Sequence, residues 1–433
     1  MPDPDLMARL SAAIDANFDQ QTAWLQTLVA FPSIRGEEAP CQDWLARDFA
    51  SRGWSVDRYT LSEVAMSHLP GFSPVMDTDY TKAVQVVAAL RAPDAVGKSL
   101  ILQGHVDVVP PGPAGMWSTP AFEPAISNGR MNGRGAQDMK SGVSCLVFAL
   151  QALHDAGYAP GSDVYLQTVT EEECTGNGAL STLARGYRAD AVLIPEPTGQ
   201  TITRGHVGVM WFRIRVQGAP VHVMNSQTGT NAIMSAYRVL TALEALTARI
   251  NARAKDDLVF QGVDNPVKFN PGVIRGGDWP SSTPAWCEVD CRIGLMPGTA
   301  LSEARAEVLE AIAEAAGQDR FMADHPPEVT WNGFQADGYV LEPGGEAEAV
   351  LGAAHHGVFG DAMEQRASTG VNDTRFYGLY YGIPGLCYGP SGSGLHGFDE
   401  WSDLDSVRKT TLVIATFVAD WCGLVPLDGS KAA

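Results

Sequence analysis

The sequence predicts an α/β protein built on a mostly parallel sheet with helices on both faces, interrupted by a smaller α+β module. Three observations carry this. From about residue 100 to 195, apolar runs of strand length alternate with helical stretches, and each run ends in a polar, loop-forming cluster. Between about 205 and 330 the rhythm changes to half-exposed, alternating strands. At 433 residues, with 45% hydrophobic and 18% charged content, the chain is too long for one core and apolar enough to bury two.

The elements follow in order. Leu6, Leu10, Ile14, Phe18, Leu25 and Leu28 fall near helical spacing, so residues 5–30 form an amphipathic helix ended at Pro32. A second helix covers about 38–52 and stops at Gly53. Residues 62–82, with Pro70, Gly71 and Pro74, form an irregular surface excursion. Leu100, Ile101 and Leu102 lead a buried strand into His105 and Asp107, and a Pro/Gly-rich loop runs from Pro110 to Pro124. Gly133 to Gly142 leads into a helix over 141–156, followed by a strand at 163–169, the triplet Glu171-Glu172-Glu173, and a helix near 177–185. The strand Ala189–Ile194 ends in Pro195-Glu196.

Past residue 205, Met210, Phe212, Ile214 and Val216 share one strand face, with Trp211, Arg213 and Arg215 on the other. A helix at 230–250, strands near 267–275 and 286–295, and a helix at 301–316 complete a module of about 125 residues. The α/β rhythm returns near 335. The domains expected are therefore 1–204 with 333–433, and an inserted 205–332, with hinges near 203–206 and 330–335.

Thirty basic against fifty acidic residues give a charge of −20, which argues against nucleic acid or an anionic membrane as partner. No apolar run spans a bilayer, and the N-terminal residues lack the pattern of a signal peptide. Seven dispersed cysteines without a Cys-x-x-Cys pair read as reduced thiols in the cytoplasm.

Five side chains suited to metal lie where loops leave strands or Gly-rich turns: His105, Asp138, Glu173, Glu196 and His396. Two imidazoles and three carboxylates are the donors a pair of Zn²⁺ or similar ions would choose. With one carboxylate bridging, each ion keeps an open position, as catalysis requires. His105 and Asp107 point to the same side of an extended chain, so the aspartate can hold the imidazole.

Eight pieces run in order: Gly104-His105-Val106-Asp107, Gly133 to Lys140, Glu172-Glu173-Cys174-Thr175-Gly176, Glu196-Pro197-Thr198, Val221-His222, Asp290-Cys291-Arg292, Asn372-Asp373-Thr374-Arg375 and Leu395-His396. Together they resemble the dinuclear zinc amidohydrolases and peptidases that include acetylornithine deacetylase, succinyl-diaminopimelate desuccinylase, aminoacylase and glutamate-releasing carboxypeptidases. The resemblance implies a zinc-peptidase-like catalytic domain with a ferredoxin-like lid that also dimerises. It implies two zinc ions, with cobalt or manganese as substitutes, bridged by Asp138. His105 and Glu196 complete one shell; Glu173 and His396 complete the other. Asp107 orients His105, and Glu172 is the general base, the register being counted back from Gly176. His222 reaches a neighbouring subunit's site in a homodimer. Arg292 grips a substrate carboxylate, while Asn270, Arg375 and the glycine run from Gly389 are further substrate contacts.

The activity implied is hydrolysis of a small amide, an N-acyl amino acid or close analogue, by deacetylase-type chemistry. A metallo-dipeptidase or carboxypeptidase with the same site is the alternative. A non-catalytic, metal-stabilised binding protein is a remote second, opposed by an intact Glu172. Ser281 to Pro284 and Val371-Asn372 depart from the family pattern where desuccinylases meet substrate, which argues against diaminopimelate. Trp279, Trp286 and Trp331 either line an acyl pocket or pack in the core.

Overall fold

The computed structural model describes residues 3–427. In chain order the elements are α1 (Pro4–Val29), α2 (Ala39–Ser51), β1 (Ser55–Thr60), β2 (Val84–Leu90), β3 (Leu100–His105), β4 (Ala125–Ser127), β5 (Arg130–Asn132), α3 (Ser141–Asp155), β6 (Tyr158–Pro160) and β7 (Val164–Val169). Next come α4 (Asn177–Ala184), β8 (Ala191–Ile194), β9 (Ile202–His206), β10 (Gly208–Gln217), α5 (Ala232–Arg253), β11 (Phe269–Gly276), β12 (Trp286–Leu295), α6 (Leu301–Gly317), α7 (Arg320–Asp324) and β13 (Glu328–Ala336). The chain ends with β14 (Tyr339–Val340), α8 (Glu346–Phe359), β15 (Gln365–Ser368), β16 (Gly385–Cys387), β17 (Gly392–Ser393), β18 (Trp401–Asp403), α9 (Leu404–Cys422) and β19 (Leu424–Pro426).

The central sheet has the order β1-β2-β7-β3-β8-β16. Its β7, β3, β8 and β16 run parallel, while β1 and β2 are antiparallel at one edge. Leu100 and Leu102 join a core with Leu146, Leu153, Ile414 and Phe417 from α3 and α9. Ile101, one residue out of phase, joins Leu180, Leu183 and Phe376 on the opposite face. Helices cover both sides, as the apolar runs require, because a parallel sheet must be buried twice. The register sets His105 opposite Val169, so adjacent strands release His105 and Glu171 to Glu173 at one carboxyl edge, with Glu196 following β8.

The inserted segment folds as a sheet of order β11-β12-β10-β13. Met210, Phe212, Ile214, Val289 and Ile293 pack under Val239 and Leu243 of α5 and Val308 and Ile312 of α6. Each such side chain contributes about 1.5–3 kcal/mol by leaving water. The opposite face carries Trp211, Arg213 and Arg215, in register with Arg292, Asp290 and Glu288. No helix among the described residues is long and apolar enough to cross a membrane.

Several expectations need correction. The strand β2 went unanticipated. Residues 62–82 are irregular but are no mere surface excursion: Ser73 is buried, donates its Oγ–H to the Thr175 oxygen at 3.1 Å and accepts the Gln335 N–H at 3.0 Å. Both expected hinges fall inside hydrogen-bonded strands. β9 pairs with β14 and β10 with β13, so one antiparallel ribbon carries the chain into the inserted segment and out again. Its ladder runs to Ala336, beyond the expected boundary at 332. Only Val207 and Asp337-Gly338 stand between the strands. There the chains approach so closely that a Cβ on Gly208 would sit 2.3 Å from the Ala336 oxygen.

His206 ends β9 at this crossing. Its Nδ1 lies 3.0 Å from the Val207 oxygen, and burial lowers its pKa to about 4 from 6.5. The unfolded chain therefore takes up a proton first as pH falls, and the folded state loses stability between pH 6.5 and about 4. The loss is about 3 kcal/mol. Denaturant titrations of His206→Asn should show a shallower decline of stability across that window than the parent; equal slopes would refute the assignment.

Candidate metal centre and active site

Three parallel strands bring the first residues together. His105 Nδ1 lies 2.9 Å from the Asp107 main-chain oxygen, which assigns that nitrogen a proton and turns Nε2 inward. Nε2 stands 3.0 Å from Asp138 Oδ1 and 3.9 Å from both Glu172 Oε2 and Glu196 Oε2. On the other side, His396 Nε2 is 3.1 Å from Glu173 Oε2 and 3.5 Å from Asp138 Oδ2. Asp138 thus stands between two histidines, with Glu172 and Glu196 beside His105 and Glu173 beside His396. Donor atoms of His105, Asp138 and Glu173 all lie within 4.8 Å of one another, a candidate site for a metal ion.

The acidic triplet divides by partner. Glu171 turns away from the cluster into Arg35, at 2.5 and 2.7 Å, with Tyr80 and Thr175 hydroxyls donating at 3.0 Å each. Glu172 faces His105, and Glu173 faces His396. Glu171 and His396 both adopt left-handed backbone, φ +69° and +57°. Such conformations persist where surrounding contacts over-determine them. Asp107 works in two places: its main chain holds His105, while its carboxylate accepts the N–H groups of Glu172 at 3.4 Å and Glu173 at 3.1 Å. Its carboxylate is 3.6 Å from the imidazole, so the main-chain oxygen sets the tautomer.

The electrostatics express one demand, for positive charge. Burial would lower the His105 pKa, yet Asp138, Glu196 and Glu172 raise it well above its ordinary value. The Glu173 charge pushes His396 up to about 10. Burial raises Glu172 and Glu196 far above the carboxylate range. Glu196 Oε1 is buried with no hydrogen-bond partner among the described residues. An imidazole Nε2 aimed among carboxylates, plus an orphaned carboxylate oxygen, fits one or two divalent ions held by His105, Asp138, Glu173, Glu196 and His396.

The other expected residues are more dispersed. Arg292 and Asn270 sit side by side in register, with Trp211 across from Arg292. With Asn332 they line a cavity of about 290 Å³ on the open face of the inserted sheet. Arg213 takes Asp290 at 2.6 Å, and Arg292 makes no ion pair among the described residues; burial lowers its pKa. Arg375 is fully buried and donates to the Thr175 oxygen at 2.9 Å, so it braces the Glu172–Thr175 turn from below instead of lining a substrate surface. The Gly389 N–H is already taken by Thr198 Oγ1 at 2.8 Å and is closed to a substrate. His222 is exposed and apart from the cluster; its Nδ1 accepts the Met224 N–H at 3.1 Å, leaving Nε2–H as an outward donor.

Trp331 packs on Phe212 with ring centroids 5.4 Å apart, and Trp279 is exposed, so neither forms an acyl pocket. Trp286 places its Nε1 3.2 Å from Asp278. Trp211 is the indole beside the site: its ring covers Gly333, where a Cβ would lie 2.6 Å from the ring and 3.3 Å from the Cys174 oxygen. Arg35, Glu400 and Ser73 also serve the site, and no local sequence signal marks them.

Comparison with known proteins identifies the family and the fold. The chain is 26% identical over 442 residues to the N-formyl-4-amino-5-aminomethyl-2-methylpyrimidine deformylase of Halalkalibacterium halodurans, covering 97% of this chain and 98% of that protein. It is 29% identical over 427 residues to a succinyl-diaminopimelate desuccinylase of Rhodopseudomonas palustris, covering 92% and 97%. The solved di-peptidase Dug1p from Saccharomyces cerevisiae superposes with a TM-score of 0.77 at 14% identity, covering 96% of this chain and 98% of that one, and so shares the fold. The family model described as peptidase family M20/M25/M40 matches residues 101–420, from the first strand that feeds the cluster to the last helix, and the chain belongs to that family.

Proposed function

We propose that this hydrolase cleaves the amide of an N-acyl amino acid or related small N-acyl amine, with two zinc ions and Glu172 as general base. The convergence of His105, Asp138, Glu172, Glu173, Glu196 and His396 at one sheet edge carries the reading. His105, Asp138, Glu173, Glu196 and His396 would hold the two ions, which would supply the charge that lowers the pKa of a water and polarises the scissile carbonyl. Glu172, buried beside His105, takes the proton of the attacking water and returns it to the leaving nitrogen. Asp107 keeps His105 Nε2 turned inward and ties down the Glu172–Glu173 backbone.

Arg292, desolvated and without a carboxylate partner, is the fixed cation for a substrate carboxylate, with Asn270 beside it. Arg292→Ala should raise KM for N-acyl amino acids about 10- to 100-fold, since a charge-assisted hydrogen bond is worth about 1.5–3 kcal/mol, while kcat changes little. An unchanged KM would remove Arg292 from recognition.

Two features support a homodimer and a lid role for the inserted segment, residues 207–336. β11 is the exposed edge strand of its sheet, and Ile233, Met234 and Tyr237 of α5 are exposed. His222, with its Nε2–H outward, would reach the partner's site as an oxyanion donor. A fully active monomer in sedimentation would refute that. Seven free thiols suit a reducing, cytoplasmic setting. The deciding assay compares acyl release from N-formyl and N-acetyl amino acids and N-formyl aminomethylpyrimidines with cleavage of dipeptides. Faster dipeptide cleavage would replace the deacylase reading with the peptidase one.

A further inference from the structure

Glu400 has no place in the chemistry above, yet it is fully buried and heavily engaged. Its Oε1 accepts the N–H of Gln137 at 2.9 Å and of Asp138 at 3.1 Å. Its Oε2 accepts the Gly135 N–H at 3.0 Å and the buried Arg134 guanidinium at 2.6 Å. Its own main-chain oxygen accepts the Gly133 N–H at 2.9 Å, and Arg134 also donates to the Gly397 oxygen at 3.0 Å. The loop leading to Asp138 is therefore wrapped around one carboxylate that lies four residues beyond His396.

The topology explains the meeting. β18 pairs antiparallel with β5, Trp401 opposite Asn132. Just past that pairing the two chains separate, one into the Asp138 loop and the other into the His396 loop. Gly135 bends the first loop with φ +80°, where a Cβ would lie 2.6 Å from Val108. A group that accepts several N–H donors and a guanidinium, and donates nothing, is what the opening needs; an ionised carboxylate is that group.

Resting on the metal-centre reading, we propose that Glu400 is a positioning residue that holds the loops of Asp138 and His396 at binding distance before any ion arrives. Glutamine at 400 has the same shape, but its NH₂ faces N–H donors and cannot accept from them. In Glu400→Gln, affinity for the second zinc ion should fall about 10- to 100-fold, the usual effect of losing a partner that orients metal ligands. The first ion is kept, and the metal-free protein remains folded by circular dichroism.

Competition of Zn²⁺ against a chromogenic chelator reads both affinities. Uptake of two ions at parental affinity by Glu400→Gln overturns the proposal. The double variant Arg134→Gln/Glu400→Gln separates positioning from a stranded guanidinium: it should remain defective, and restored affinity overturns the proposal. Hydrogen exchange on the parent needs no variant. Amides of 133–139 should be as protected in stripped enzyme as in zinc-loaded enzyme; protection that appears only with zinc means the metal, not Glu400, shapes the loop. A parent enzyme that binds fewer than two ions would sink the metal-centre reading itself, a separate failure.

Discussion

Glu172→Gln is expected to lower kcat by about 10²- to 10⁴-fold, the range general-base catalysis supplies, with two zinc ions still bound. The triplet's contacts single out this residue. Glu171 is spent on Arg35, Tyr80 and Thr175, and Glu173 is spent on His396. Glu172 has neither kind of clamp, and its oxygen stands 3.9 Å from the His105 nitrogen that faces the cluster. Glutamine preserves the size and the backbone N–H held by Asp107 but cannot accept a proton. Loss of kcat with unchanged metal content, by elemental analysis of the same sample, is the expected pair of results. Unaffected turnover would end the assignment; lost metal would make Glu172 a ligand instead.

Chelation should abolish activity completely, and zinc should restore it, with recovery complete at two ions per chain and partial with cobalt or manganese. Three carboxylates crowded around two imidazoles call for added positive charge, as the raised pKa values of both histidines show. The stripped enzyme should nonetheless keep its far-ultraviolet circular dichroism, because protein groups tie down the donor-bearing turns. Arg35 secures Glu171, Asp107 the next two N–H groups, and Glu400 the Asp138 loop. Zinc should raise the melting temperature by mass action on the folded state. Active enzyme with less than one metal per chain would contradict a dinuclear centre.

Strand ends were legible because an apolar run that stops at a histidine or glutamate states both burial and exit in a few adjacent residues. The runs into His105, Glu171 and Glu196 therefore located the carboxyl edge correctly, and strict alternation from Met210 to Val216 marked the second sheet. Partners distant in sequence carried no such mark. Arg35 meets Glu171 and Glu400 meets Asp138 across most of a fold that only tertiary packing assembles. Arg375 shows the limit from the other side: residue type and position do not reveal that it lies under the turn. Gly389 fails similarly, since its N–H goes to Thr198 from a distant loop. That residues 203–206 and 330–335 lie in paired strands is not visible in the sequence, because their ladder partners are distant along the chain.

The paired ribbon that enters and leaves the inserted segment has a consequence for how this protein can diversify. Both ends of that segment emerge side by side, and all five donor side chains belong to the remainder of the chain. On the proposed reading, the substrate contacts Asn270 and Arg292 and the oxyanion donor His222 lie on the inserted segment, and the metal-binding cluster lies outside it. Exchange of that segment at the glycine crossing would replace the substrate-facing residues and His222 together and leave the cluster's own side chains in place.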